Sequence, residues 1–406
     1  MRISTPMFNQ DAVNGILAEE QQLAQTQGQL ATGKSINSPA DNPVGEVQLL
    51  QLNTVNAQNT QYISNGQSAN TNLTLEEQAL STSTTTLQSI RDLVVQANSG
   101  TNNASDLQDI ATQISQLEAQ LQAGANSQNA QGQYLFAGFS GNTQPFVRGA
   151  TGAINYLGDS GTSSVAINGG TSVQTGDPGS SVFMNIPTGN GTFSTAAAPT
   201  NTGTGTIDGG SVQNAAAFTP PQQYTVTFTN PTTYSVAATA APATVLATGT
   251  YDPTKGGEIS FNGVQVGITG APATGDTFTV TPSTKGSIFD TLDNLVKSLN
   301  TAGSSSAANA QLASSLGGSL QSIDQALNQV SNVSASVGAR INLVSSVATS
   351  VNTNSTTVSE QISDISDLDY AKASTQYSQE LVALQAAEQS YAAVNGLSLF
   401  KFLPGG

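Results

Sequence analysis

The stretch GQLATGKSINSPADNPVG (28–45) decides the architecture, because Gly28, Gly33, Lys34 and Ser35 satisfy the phosphate-loop template G-x-x-x-x-G-K-[ST]. A phosphate loop follows a buried strand and opens a helix, so that glycine-loop amides and a helix N-terminus face the phosphates. That reading makes the chain an α/β nucleotide-binding protein, and residues 28–35 are all that favours an ATPase. The context fails it. The preceding residues ILAEEQQLAQTQ (16–27) lead from Ile16 through Leu23 to Leu30 at a seven-residue spacing, which belongs to a helix running into the motif. After it, Pro39 and Pro43 disfavour the immediate helix that would hold a pyrophosphate. Gly33 is expected to end the first helix as its C-cap, and the Pro-rich turn to redirect the chain.

Proline positions extend this division. Eleven of fifteen prolines lie between Pro145 and Pro282, leaving Pro-free arms at 44–144 and 283–403 around a Pro-, Gly- and Thr-rich middle. Steps of three and four through the first arm give Leu52, Val55, Asn59, Tyr62, Gly66, Ala69, Leu73, Glu76, Leu80, Ser83, Leu87, Ile90, Val94 and Ala97, ten of them apolar. NSGTNNASD (98–106) breaks this seam, with Ser105 and Asp106 as expected caps of a new helix, and Leu107, Ile110, Ile114, Leu117 and Leu121 resume it. In the second arm one register runs from Leu316 to Asp369, thirteen of sixteen positions apolar. Such seams favour an elongated bundle. The other positions are mostly Gln, Asn, Ser, Thr and Ala, a face that can be buried through hydrogen bonds without desolvating ions. Lateral packing into an assembly is the expectation.

Composition limits the chemistry. Asp and Glu outnumber Lys and Arg by 26 to 10 and the ten cations are scattered, so neither nucleic acid nor an anionic membrane is an expected partner. With no Cys, His or Trp, thiolate nucleophiles, imidazole bases and the usual transition-metal ligands are gone together. The carboxylates of GDSG (158–161), TGDPG (175–179), YDPTKGGE (251–258) and TGDT (274–277) read as turn residues without a calcium-ligand ladder. No catalytic, cofactor-binding or metal residue is assigned, and enzymatic activity is not expected. MRISTPMFNQDAVNG (1–15) has no apolar core, so a cleaved signal peptide is not expected, and no run approaches the ~20 residues of a membrane span.

The middle reads as β structure. AINYLG (153–158), SSVAING (163–169) and SVFMNI (181–186) suggest a first unit; YTVTF (224–228), the hairpin EISFNGVQVGI (258–268) and DTFTVTP (276–282) suggest a second. GTFSTAAAPTNTGTGTIDGG (191–210) reads as a linker. At the C-terminal end, Tyr377, Leu384 and Tyr391 repeat at heptad spacing, flanked by Leu381, Ala387 and Val394. They match the stripe of Ile16, Leu23 and Leu30, and two short helices marginal alone can zip together. LSLFKFL (397–403) adds Leu397, Leu399 and Phe400 as apolar surface for a partner.

QLATGKSINSPADNPVG (29–45) and the arm ending in Leu381–Phe400 resemble the flagellin superfamily, whose two chain ends pair across a variable insertion. Within it, GQYLFAGFSGNTQPF (132–146) is similar to the hook–filament junction family, hook-associated protein 3, and flagellins lack that ending. The similarity covers roughly 1–146 and 286–403, continuing weakly through YLGDSG (156–161) and SVF (181–183). NGVQVGITGAPATGDTFTV (262–280) resembles an insertion shared with hook-associated protein 1.

The resemblance implies a mainly α, elongated helical bundle built from both chain ends, an inserted β region of one or two small domains, and terminal helices forming a coiled coil on assembly. The expected organisation is an assembly helix and turn (1–42), half of the helical rod (43–146), a first β insertion (147–190), a linker (191–222), a second β insertion (223–284), the other half of the rod (285–370) and a C-terminal assembly helix (371–406). It also implies an extracellular, ring-like homo-oligomer between hook-associated protein 1 and flagellin. Export without cleavage and a cytoplasmic export chaperone binding the C-terminal region follow from the same resemblance. Ile16, Leu23, Leu30, Tyr377, Leu381, Leu384, Tyr391, Val394, Leu397, Leu399 and Phe400 are the expected assembly interface. A filament subunit of flagellin type, and a secreted adhesin with a coiled-coil stalk, stay open as alternatives.

Overall fold

A computed structural model describes residues 5–150, 152–218, 222–239, 244–303 and 305–396. The described residues hold six helices: α1 (Thr5–Thr32), α2 (Pro43–Ala97), α3 (Ala104–Ala125), α4 (Ile288–Asn300), α5 (Ser306–Ser366) and α6 (Tyr370–Gly396). The chain divides into two compact units, Met1–Ser64 with Val347–Gly406, and Asn65–Ser346.

The unit of the two chain ends holds α1, α6, the first turns of α2 and the last turns of α5. Helix α1 stops where expected. Gly33 takes φ +72°, and its N–H donates to the Gln29 carbonyl at 2.8 Å. A side chain at Gly33 would be strained, and its Cβ would lie 2.8 Å from the Tyr370 hydroxyl. Asp41 then pins the turn by accepting from the N–H groups of Asn37 (2.9 Å) and Ser38 (2.8 Å). Asn42 caps α2 by accepting from the Gly45 N–H at 2.9 Å, with Pro43 in the first helical position. Ile36 and Leu49 are buried here, as are Val351 and Val358 of α5.

In the second unit the α2 seam is buried without a gap at Gly66, Ala69, Leu73, Glu76, Leu80, Ser83, Leu87, Ile90, Val94 and Ala97. On α5, Leu316, Ile323, Val330, Val337 and Val344 are buried at every seventh position, and the alternate seam residues are half-buried. Helix α3 starts with a capping box that differs in detail from the expected one. Asn103, not Ser105, is the N-cap: its side chain accepts from Ser105 N (2.8 Å) and Asp106 N (3.1 Å), and Asp106 accepts in return from Asn103 N (2.9 Å).

Among the described residues, fifteen strands lie between α3 and α4. The first five are short: β1 (Phe146–Arg148) pairs with β2 (Ile154–Tyr156), β3 (Ser164–Ala166) with β4 (Ser172–Gln174), and β5 (Ile186–Pro187) with β15 (Lys285–Gly286). The expected strand at 181–186 is instead mostly a π-helical turn, Ser180–Met184. Val182 and Phe183 are consecutive and both fully buried, where a strand with one face in solvent would expose one of them.

The remaining strands are β6 (Phe193–Ala197), β7 (Thr206–Ile207), β8 (Ser211–Val212), β9 (Tyr224–Asn230), β10 (Thr233–Ala238), β11 (Thr244–Thr250), β12 (Gly257–Phe261), β13 (Val264–Thr269) and β14 (Thr277–Pro282). One sheet runs β11-β10-β9-β14-β6, a second β12-β13-β7 with β8 also on β13. Their inner faces share one core that includes Phe193, Ile207, Tyr224, Val226, Phe228, Ile259, Val266, Phe278 and Val280. The hairpin at Asn262 (φ 39°) and Gly263 (φ 76°) forms as its sequence dictates. The stretch 191–210 is not a linker. It supplies β6 to β14 and β7 to β13, because Phe193 and Ile207 belong to the sandwich core; the Gly- and Thr-rich residues between them had hidden that pattern.

The sandwich rests on α5 through the uncharged face of that helix. Gln311 donates to the Pro199 (3.1 Å) and Asn201 (2.9 Å) carbonyls, while Ser314 and Ser322 accept from Ile207 N (3.2 Å) and Gly189 N (3.3 Å). Part of the polar surface expected to meet neighbouring subunits is thus covered within the chain.

Candidate assembly surfaces

Helices α1 and α6 pack on each other in the unit of the chain ends. Their junction is stitched by the very residues of the phosphate-loop match. Ser35 N–H donates to the Ser366 carbonyl (2.7 Å), its hydroxyl to the Ile365 carbonyl (2.8 Å), and Leu368 N–H to the Gly33 carbonyl (3.0 Å). Lys34 forms an isolated antiparallel bridge with Asp367. The amide and hydroxyl of Ser35, which a phosphate would need, are therefore engaged by the C-terminal arm.

Ile16, Leu23 and Leu30 on α1 and Tyr377, Leu384 and Tyr391 on α6 are half-buried. Leu381 is 37% exposed and Val394 39%, so both keep apolar surface open. Leu397, Leu399 and Phe400 lie outside the described residues. Among the described side chains of α6 the buried positions are Ala373 and Glu380, a heptad that the Tyr–Leu–Tyr pattern overshadows. Further apolar surface went unread: Val44 is 69% exposed, Val47 55% and Leu50 59%, three residues spaced by three at the start of α2. That spacing was visible in the sequence.

The segment after α3 packs an aromatic hub with α4 in the second unit. Phe146 sits within 5.2–5.5 Å, ring centre to ring centre, of Tyr156, Phe183 and Phe289, and Phe136 stands edge-on to Phe183 at 5.4 Å. In YLFAGFSG (134–141), Phe136 and Ala137 are fully buried while Phe139 is 70% exposed. Asp159 holds that loop, accepting from Phe139 N (2.9 Å), Gly161 N (2.8 Å) and the Ser140 hydroxyl (2.8 Å). These donors, the Phe139 amide foremost, hold its carboxyl below the usual aspartate range. Gly138 has φ +70°, and a Cβ there would collide with Asp159.

Among the described residues no group of three or more His, Cys, Asp or Glu side chains could hold a metal ion. No described helix is long and apolar enough to cross a membrane. Paired end helices, long heptad arms and an inserted sandwich define a flagellin-type structural chain. The bacterial flagellin N-terminal helical region matches residues 3–140, and the C-terminal helical region residues 320–403. The D2-like domain of flagellar hook-associated protein 1 matches 196–282, the sandwich.

A crystal structure of FlgL from Xanthomonas campestris is 30% identical with a TM-score of 0.71, covering 77% of this chain and 98% of that one. The flagellar junction protein FlgL from Legionella pneumophila is 28% identical with a TM-score of 0.70, covering 79% and 99%. Flagellar hook-associated protein 3 of Salmonella typhimurium is 32% identical over 46% of this chain, and the match spans 58% of that relative's length. The chain belongs to the hook-associated protein 3 (FlgL) family of the flagellin superfamily.

Proposed function

We propose that the chain is a structural subunit of the bacterial flagellum that self-assembles into a ring joining the hook to the flagellin filament. The observation that carries this is the packing of α1 on α6 with half-buried seams and exposed apolar flanks, in a chain whose relatives of matching fold are junction proteins. Such a pair is marginal by itself and gains from burial against neighbours. Hook-associated protein 1 is the partner on one side and flagellin on the other. The protein acts outside the cell without catalysing a reaction, and reaches its site by flagellar type III export without a cleaved signal. A cytoplasmic export chaperone binds its C-terminal region beforehand. The uncharged surface of the arms left uncovered by the sandwich serves contacts between subunits.

The test is Leu23→Asp combined with Leu384→Asp. The sandwich should stay folded by circular dichroism and protease resistance, while electron microscopy should find no incorporation at the hook tip. Normal filaments from the double variant would contradict the assignment of these helices to assembly.

A further inference from the structure

Two glutamates lie buried in the second unit, each inside a cluster that joins the helices to the segment 146–187. Glu76, 1% exposed, occupies the α2 seam between Leu73 and Leu80. Its Oε1 accepts from the Asp177 N–H at 3.0 Å, and its Oε2 is buried with no hydrogen-bond partner. Asp177 accepts from the Gln174 amide at 2.8 Å and pairs with Arg340 of α5, whose Nη1 also donates to the Gln174 carbonyl at 3.4 Å. The charged groups about Glu76 are thus Asp177 from the loop, Arg340 from α5, and on α2 itself Glu77, which accepts from the Ser334 hydroxyl at 2.7 Å. The second cluster also sets two carboxyls beside one arginine, here with both paired to it. Glu118 of α3, its side chain 3% exposed, receives Nη2 of Arg148 from β1 at 2.5 Å, and Nη1 of the same arginine reaches Asp293 of α4 at 3.2 Å.

In each cluster two carboxyls lie near a single guanidinium: Arg148 pairs with both Glu118 and Asp293, whereas Arg340 pairs with Asp177 and acts on Glu76 only through space. With both ionised, an uncompensated negative charge is left at a buried site, which costs far more than a neutral acid there. One proton per cluster restores neutrality. Burial first, and then the Asp177 charge, pushes the Glu76 carboxyl up to about 8, and burial followed by the Asp293 charge also raises Glu118. We propose that these two clusters are proton-dependent fasteners that clamp residues 146–187 to the helices of the second unit, closed while one carboxyl of each is protonated and loosened when both are ionised. The clamps grip near both ends of the segment, Arg148 at its start and Asp177 close to its finish. The sandwich offers an internal control, since it rests on α5 through neutral Gln and Ser side chains.

The sign follows from linkage. Glu76 binds its proton more tightly in the folded chain, so its stabilisation is complete below the ordinary glutamate value of 4.5 and is lost as pH rises through about 8.

Hydrogen exchange of the full chain between about pH 6 and 9, corrected for the intrinsic pH dependence of exchange, reads the clamp directly. Protection of 146–187 should fall about tenfold or more relative to 224–282. In Glu76→Gln with Glu118→Gln that relative fall should shrink to less than about threefold. An equal fall in the variant, or none in the wild type, would overturn the proposal. Should the variant not fold, carboxyl carbon-13 titration of the wild-type chain decides: Glu76 should titrate well above the ordinary glutamate range, and a titration within that range would sink it.

Discussion

Within the sandwich, Tyr224, Val226, Phe228, Val236, Phe278 and Val280 have no exposed surface, and both sheets close over them. In the unit of the chain ends, Ile16, Leu23, Leu30, Tyr377 and Leu384 remain half-buried, and Val382 is 62% exposed beside them. Both regions are built from apolar residues at regular spacing. What separates them is where the second layer comes from: the sandwich supplies its own, whereas two helices side by side cannot cover each other's flanks. A finished core answers to internal packing, and an unfinished one awaits a neighbour.

Substitutions can break that contrast or sharpen it. Phe228→Ala should have the largest effect on the isolated chain, about 3–5 kcal/mol of sandwich stability, because the cavity lies between sheets that cannot collapse. Chemical denaturation followed by tyrosine fluorescence measures this, and a loss near that expected for a half-buried residue would erase the distinction. Gly33→Ala comes next, at about 1–3 kcal/mol for the unit of the chain ends, since it forces a β-carbon into left-handed backbone against Tyr370. Hydrogen exchange should place that loss in α1 and α6 and leave the sandwich protected. Asn103→Ala should cost about 1 kcal/mol by removing the α3 cap, seen as a small shift in the thermal midpoint. Lys34→Ala should change stability by no more than about 0.5 kcal/mol. It should also leave ATP binding absent by calorimetry; saturable binding that this substitution abolishes would revive the phosphate-loop reading of 28–35.

The helical arms were legible because a heptad is a long-range, redundant signal. Val337 or Val344 can be misread singly, but five buried positions in one register on α5 cannot. The C-cap at Gly33 was legible for a different reason, as failure of one motif's context left a simpler account. Residues 191–210 were misread because β6 and β7 are short strands whose core residues, Phe193 and Ile207, stand apart amid Gly and Thr. Their pairing with β14 and β13 is long-range and leaves no local trace. The Ser180–Met184 turn is hidden similarly, since Val182 and Phe183 look like half of an alternating strand until the fold buries both, Phe183 in the aromatic hub. At the assembly surface the stripes mark α1 and α6, but Val44, Val47 and Leu50 lie before the seam that begins at Leu52 and stay outside its register. Glu76 appeared in its seam as an interruption, and only the fold brings Asp177 and Arg340 to it.

The central claim, that this chain forms the junction between hook and filament, is tested most directly by deleting its gene and imaging the cells by electron microscopy while assaying the medium for flagellin. The account predicts hooks without filaments and flagellin shed into the medium, both reversed by the intact gene. Full-length filaments on the deletion strain would contradict it.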